Sequence, residues 1–381
     1  MQILGKLSQT DFLNTHWQKK PLLIRQAFPD ITSPISPEEL AGLACEEGIE
    51  SRLIQEQGTE GPWELRYGPF EEEDFTSLPP THWSLLVQAL DHHLPELSQL
   101  LDQFNFIPNW RVDDVMVSFA PEGGSVGPHL DNYDVFLLQV QGLRHWHINE
   151  GDYSEDDFIE GLDLKILSEF ESQQDWILEA GDMLYLPPGV AHHGIALDNC
   201  LTYSIGFRAP SQKELLSAYT VSFNEHAKDT FYTDPDLKLQ DASGEIKPED
   251  IQSLQNMLLS AISNKTEFAN WFGHFITNNL DDLEPEYDLL DEPAFRKTLK
   301  QASHLNRYGN IRFSYINNND TVTLFYSGQS VLLSISQLNL IQYLCSSHRL
   351  DCSELHGFND KVLTSDLLFT LYSAGCFYFD E

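Results

Sequence analysis

Apolar and polar positions between residues 111 and 207 fall into short runs separated by turn signals. The segments 115–119, 134–140, 144–148, 176–179, 182–186 and 201–207 are rich in β-branched, aromatic and leucine residues, which predicts strands. With one further strand at His129 they suffice for a small antiparallel barrel or jelly roll. The first 110 or so residues predict mixed structure. Thr10 and Asp11 can cap a short helix reaching Trp17, Pro21 to Arg25 reads as a strand, and Pro37 followed by Glu38 and Glu39 opens a helix. Leu85, Leu86, Ala89, Leu90, Leu94, Leu97 and Leu101 recur at helical spacing, so helix is expected within 83–101, kinked or divided at Pro95. His92 and His93, just before that break, read as ordinary packing or surface residues.

After Pro210 the period changes. Residues 211–223 begin with a Ser-x-x-Glu capping box at Ser211 and Glu214. Past a loop at Asp234-Pro235-Asp236, the stretch 248–262 carries Ile251, Leu254, Met257, Leu258, Ala261 and Ile262 on one face, and 268–276 continues as an aromatic helix. Such helices need a partner, either the barrel or a second copy of the chain. Residues 281–292 are acidic and read as a linker. From Arg296 to the end the pattern is that of a small α+β unit, with strands at 310–316, 322–326 and 329–333 and helices at 336–346 and 365–374. The fold class is therefore α+β, with three blocks at 1–209, 210–280 and 281–381. No repeat is evident.

Composition changes this picture in one respect. The 381 residues include 59 Asp and Glu against 22 Lys and Arg, a formal net charge of −37. That speaks against binding along a phosphate backbone, and Arg296 to Glu381 has few basic residues in any cluster. A basic partner is the electrostatic complement, although excess acid also serves solubility. The acidic insert 152–160 reads as an exposed loop or short helix that could border a pocket mouth. No segment approaches a membrane span and the N-terminus has no leader pattern, so a cytoplasmic protein is expected. Cys45, Cys200, Cys345, Cys352 and Cys376 are odd in number and contain no CxxC pair, which predicts reduced, mostly structural thiols.

Candidate chemistry lies in Gly123 to Asp131, which ends His129-Leu-Asp131. Residues i and i+2 of a strand project to one face, so an imidazole and a carboxylate can meet one cation. A two-His-one-carboxylate site with open positions marks non-haem Fe(II) oxygenases. The third ligand is sought in Gly181 to His193, where Pro187, Pro188 and Gly189 form a turn after a strand; His192 and His193 compete. Here a resemblance enters. Gly181, Pro187, Gly189 and His192 match the second cupin motif at its fixed positions, and Gly123 to Asp131 resembles the first, which implies His129, Asp131 and His192 as the metal ligands. Three protein ligands leave room for 2-oxoglutarate and dioxygen on the metal, and Arg144 is placed to hold the co-substrate's far carboxylate bidentately. Taken alone, Arg144 is equally well explained as the partner of one of the many acids. Ser118 could add a hydroxyl hydrogen bond.

The chain as a whole resembles the JmjC-type ribosomal oxygenases, in particular their bacterial arginine hydroxylases. The resemblance runs from His16-Trp-Gln-Lys-Lys-Pro through Ile35-Ser-Pro-Glu-Glu-Leu-Ala-Gly-Leu-Ala, Gly127-Pro-His-Leu-Asp-Asn-Tyr-Asp-Val-Phe and Pro187-Pro-Gly to Tyr203-Ser-Ile-Gly-Phe-Arg-Ala-Pro. It implies a JmjC double-stranded β-helix, a helical dimerisation region and a C-terminal winged-helix domain. It also implies Fe(II) as the metal, 2-oxoglutarate and dioxygen as co-substrates, a homodimer, and an arginine of a large-subunit ribosomal protein as the target. His145 and His193 receive no role. Two other readings stand beside this one: a histidine hydroxylase or lysine demethylase using the same iron chemistry, and a non-enzymatic cupin-like metal-binding scaffold.

Overall fold

Period-two patterning in the middle of the chain builds the two walls of an antiparallel barrel. The structure, a computed structural model, describes residues 3–56, 63–162, 164–239, 241–278, 289–358 and 361–380. Its first eleven strands are β1 (Leu22–Ile24), β2 (Ser51–Glu56), β3 (Trp63–Tyr67), β4 (Trp83–Val87), β5 (Val112–Ala120), β6 (Asp134–Gln141), β7 (Arg144–Asn149), β8 (Gln174–Leu178), β9 (Met183–Leu186), β10 (Ala191–Ala196) and β11 (Cys200–Phe207). Eight form one sheet in the order β1-β9-β6-β11-β5-β4-β2-β3, and β10-β7-β8 form a second.

Strand β6 shows how the layers are held. All of it but the last residue is buried, because each face meets a different core. Phe136 and Leu138 point outward into a cluster with Phe12, Phe104, Tyr185 and Phe207 that the N-terminal helices close; Val135 and Leu137 point inward against Trp146, Ile148 and Leu178 of the smaller sheet. Phe12 lies 4.9 Å from Tyr185 and 5.7 Å from Phe136, centroid to centroid. Burial on both sides explains the apolar run Val135–Leu138 within β6.

The segment 83–101 departs from its helical expectation. Residues 83–87 are strand β4, paired with β2 and β5, and the left-handed backbone of Ala89 (φ 53°) ends it. Leu85 and Val87 bury one face there, a pattern that a short apolar run cannot distinguish from a helix turn. The helix is confined to Pro95–Leu101, where Pro95 stands in the first turn and so starts the helix instead of kinking it.

Helix Gln212–His226 is opened by the expected capping box, Glu214 N donating to Ser211 Oγ at 3.0 Å. Neither it nor helix Pro248–Ser263 buries a single residue. Helix Lys265–Thr277 does, packing Gly273 on Phe325 so closely that a Cβ would lie 2.5 Å from the ring. Of the expected linker, residues 281–288 lie outside the described residues, and helix Glu292–Gln301 begins after a side-chain cap from Asp291. The C-terminal unit holds strands β12 (His304–Arg307), β13 (Phe313–Asn317), β14 (Thr321–Tyr326), β15 (Gln329–Ser334), β16 (Arg349–Asp351) and β17 (Phe377–Tyr378), with helices Leu338–Ser346 and Lys361–Ser373, around a core of its own. It is docked on the barrel unit through Asn105 to the Ser346 carbonyl (2.6 Å), His348 to Asp102 (2.6 Å) and Trp110 against Phe272. Among the described residues no helix is long and apolar enough to cross a membrane. All five cysteines are free thiols, four of them buried.

Candidate metal and co-substrate site

His129 and His192 face each other across the mouth of the barrel because their backbones pair: each amide donates to the other's carbonyl, at 3.0 and 2.8 Å. The turn through Pro187 and Pro188 closes on Gly189, whose left-handed backbone (φ 81°) lets its amide donate to the Asp131 carbonyl at 2.7 Å. Both sequence motifs are thereby tied to each other before any metal is considered. The ligand atoms of His129, Asp131 and His192 all lie within 4.8 Å of one another, with His192 Nε2 3.7 Å from Asp131 Oδ2.

The second ring nitrogens fix the direction of the first. His129 Nδ1 lies 3.0 Å from the Gly127 carbonyl and His192 Nδ1 3.0 Å from the Val190 carbonyl. Carbonyls only accept, so both rings carry a proton on Nδ1 and turn Nε2 toward the centre as the nitrogen that can ligate a metal. Burial, followed by the neighbouring His129, holds the His192 pKa down to about 4, so the ring is neutral at pH 7. Two imidazoles and a carboxylate with an open side suit a non-haem Fe(II). His193, the competitor from the sequence, is not with them: it lies near His147 and Phe170, and its Nε2 is buried without a partner. His145 is also elsewhere, paired with Asp175 at 2.8 Å.

Beyond the triad opens a cleft of about 840 Å³ lined by all three residues together with Ser118, Arg144, Trp146 and Thr202. Arg144 is buried, donates to the Gly194 carbonyl at 3.2 Å and stands over the Trp146 ring at 5.1 Å. Among the described residues no carboxylate pairs with it, and burial pulls its pKa down. Arg144 Nε and Trp146 Nε1 are buried donors without partners. A buried cation with orphaned donors beside it fits an anionic ligand, since leaving such groups unpaired is costly. The donor set therefore fits 2-oxoglutarate. Ser118 is also at the cleft, its hydroxyl donating to the Thr202 carbonyl at 3.3 Å.

Sequence reasoning missed the other wall. Asp114, Met116 and Ser118 share one face of β5, so period two from Ser118 was the available signal. Glu50, Asp113 and Asp114 make that wall acidic. Burial first, then Asp91 and Asp113, push the Asp114 pKa up to about 7. Ile276, Asn278, Asn310 and Arg312 close the cleft from the C-terminal side, which no local pattern announces.

Comparison with known proteins agrees with this geometry. Residues 99–215 match the JmjC domain and residues 259–378 the ROXA-like winged helix. The chain is 40% identical over 310 residues to the ribosomal protein uL16 3-hydroxylase of Escherichia coli, covering 80% of this chain and 82% of that protein. The chain belongs to the JmjC ribosomal oxygenases. A probable ribosomal oxygenase of Haemophilus influenzae is 32% identical over 363 residues, covering 92% of this chain and 89% of its own. The structure of YcfD, a ribosomal oxygenase from E. coli in complex with cobalt and 2-oxoglutarate, superposes with a TM-score of 0.84 at 35% identity over 99% of both chains. The jelly roll is thus a JmjC double-stranded β-helix, followed by a winged-helix domain.

Proposed function

We propose that this ribosomal oxygenase is an Fe(II)- and 2-oxoglutarate-dependent hydroxylase of an arginine side chain in the large-subunit ribosomal protein uL16, acting in the cytoplasm. The observation that carries the reading is the meeting, in one cleft, of the His129–Asp131–His192 triad with a buried Arg144 that has no carboxylate partner among the described residues. His129, Asp131 and His192 hold the iron on one side and leave the other open. With dioxygen the bound iron supplies the oxidising chemistry: 2-oxoglutarate becomes succinate and carbon dioxide, and one oxygen atom is inserted into a substrate C–H bond.

The chain's own residues do the rest. Arg144 and Trp146 Nε1 bind and orient the far carboxylate of 2-oxoglutarate, and Ser118 borders that pocket. Glu50, Asp113 and Asp114 attract a guanidinium to the opposite wall, so its carbon chain lies between them and the metal. Both hydrogen bonds that Asp114 accepts, from Gln88 Nε2 and the Ala89 amide at 2.7 Å each, end on Oδ2, which leaves Oδ1 for the substrate. The chain falls into a catalytic part at 1–209, a helical part at 210–280 and a winged-helix part at 281–381, and the exposed apolar residues of the middle part support a homodimer. The winged-helix part has few basic residues in any cluster, which disfavours nucleic acid as its partner.

Mass spectrometry of uL16 incubated with enzyme, Fe(II) and 2-oxoglutarate tests this: a gain of one oxygen on arginine that requires 2-oxoglutarate is expected, and its absence sinks the reading. Peptides with histidine or methyl-lysine at the target position separate the two rival activities of the same iron chemistry.

A further inference from the structure

Resting on the reading above, in which a guanidinium enters the acidic wall, we propose that Arg312 of the winged-helix domain is a positioning residue for the substrate, acting through Asp91 on the strand segment that carries Asp114. The domain does more than dock: it aims the acid that receives the substrate side chain.

At Gly309 the two units meet backbone against backbone. A Cβ built there would lie 1.7 Å from the Asp91 carbonyl oxygen, so only glycine lets the turn before β13 settle on the turn after β4. Three residues on, Arg312 Nη2 donates to Asp91 Oδ2 at 2.7 Å and to the Asp113 carbonyl at 2.9 Å, while Nη1 donates to the Gly309 carbonyl. The Asp91 carboxylate is fully buried, and its other oxygen accepts the Val115 amide at 2.8 Å. Asp114 is therefore anchored on both sides by one unit: Asp113 before it is held by Arg312, and Val115 after it by Asp91, which Arg312 neutralises.

Charge reinforces the geometry. Asp114 faces Asp91, Asp113, Tyr133 and, through Gln88, Arg52 at 3.0 Å; Asp113 is itself paired with Arg208 at 3.1 Å, and His92 stands 3.9 Å from Asp91. Without Arg312, the buried Asp91 charge would bear on Asp114 more strongly and favour its neutral form, which binds a guanidinium less well. Loss of Arg312 thus loosens the 113–115 segment and weakens its charge at once. Docking of the domain has other supports, Asn105 and His348 among them, that touch neither Asp91 nor Asp113.

Steady-state kinetics of the full-length enzyme with uL16 test the proposal. Arg312→Gln should raise the KM for uL16 about tenfold, equivalent to about 1.4 kcal/mol, with kcat and the KM for 2-oxoglutarate changed by less than about twofold. Arg312→Lys, which keeps the Asp91 ion pair and loses the second bond, should recover part of that loss, and its milder change keeps the test available if Arg312→Gln folds poorly. Asn105→Ala, which weakens docking alone, should leave the KM for uL16 unchanged. An unaltered KM in Arg312→Gln, an equal rise in Asn105→Ala, or a parallel loss of 2-oxoglutarate affinity would overturn the positioning role. A wild-type enzyme that leaves uL16 unoxidised overturns the parent reading as well, so the two failures are distinct.

Discussion

Arg144 and Asp114 occupy opposite walls of one cleft, and each departs from its ordinary protonation behaviour for the same first reason, burial. Replacing Arg144 by Gln removes a charge-assisted bond worth about 1.5–3 kcal/mol, so the KM for 2-oxoglutarate should rise about 10- to 100-fold while uL16 affinity changes little. Lys at the same position should restore only part, because an ammonium cannot hold a carboxylate with two parallel bonds. For Asp114 the sign follows from its folded pKa of about 7 against 3.8 for the free group. The folded state binds this proton more tightly, so the stability contributed is complete below pH 3.8 and is lost as pH rises through 7. Activity runs the other way: the ionised acid attracts the guanidinium, and the KM for uL16 should fall as pH rises from about 6 to 8. Asp114→Asn should show a raised KM with that slope abolished and should gain stability relative to wild type at alkaline pH, measured by thermal melts across the range. The pair His129 and Asp131 was legible in its spacing, although the strand expected to carry it is only an isolated bridge at His129. Strand geometry alone did not separate His192 from His193, because adjacent strand residues differ only in the face they take; the match to the second cupin motif made that choice.

At the level of elements most strands between 111 and 207 were legible, β9 as an unbroken apolar run and β6 through Val135–Leu138, whereas β10, which carries His192, was not among those expected. Segment 83–87 was not legible. Its leucines fit both periods, and the deciding information is the partner strands β2 and β5, which lie far off in sequence. Helices Gln212–His226 and Pro248–Ser263 present the opposite case: their periodicity was plain and Tyr219 packs on Trp271 of helix Lys265–Thr277, yet neither helix buries a residue. Leu254, Leu258, Leu259 and Ile262 are between 40% and 75% exposed, too much apolar surface on one helix to be left in water. The homodimer reading therefore predicts that Leu258→Asp, alone or with Leu254→Asp, yields a monomer by light scattering, with the far-ultraviolet spectrum of the barrel retained. If the doubly substituted chain remains dimeric, the helices are covered by something else.

Across the whole molecule, the excess of acid and the three-sided cleft bear on one question, how a basic protein finds the site. Two different electrostatic regimes operate. Arg144 is buried, so salt should affect the carboxylate contact proposed for it little. In the acidic wall Glu50 and Asp113 are exposed while Asp114 is buried, and the surrounding net charge of −37 should draw a basic partner from a distance that screening shortens to about 3 Å at 1 M salt and about 10 Å at 0.1 M. Raising salt from about 0.05 M to 0.5 M should therefore raise the KM for uL16 several-fold through slower association. The KM for 2-oxoglutarate should stay nearly level over the same range. Both constants rising together would mean that salt disturbs the fold or the iron site, whereas a flat uL16 constant would mean that shape, not charge, selects the substrate. The winged-helix contribution enters at this scale alone: Asn310 and Arg312 reach the cleft only because Gly309 allows two separately folded cores to touch, and no run of residues in either core carries that information.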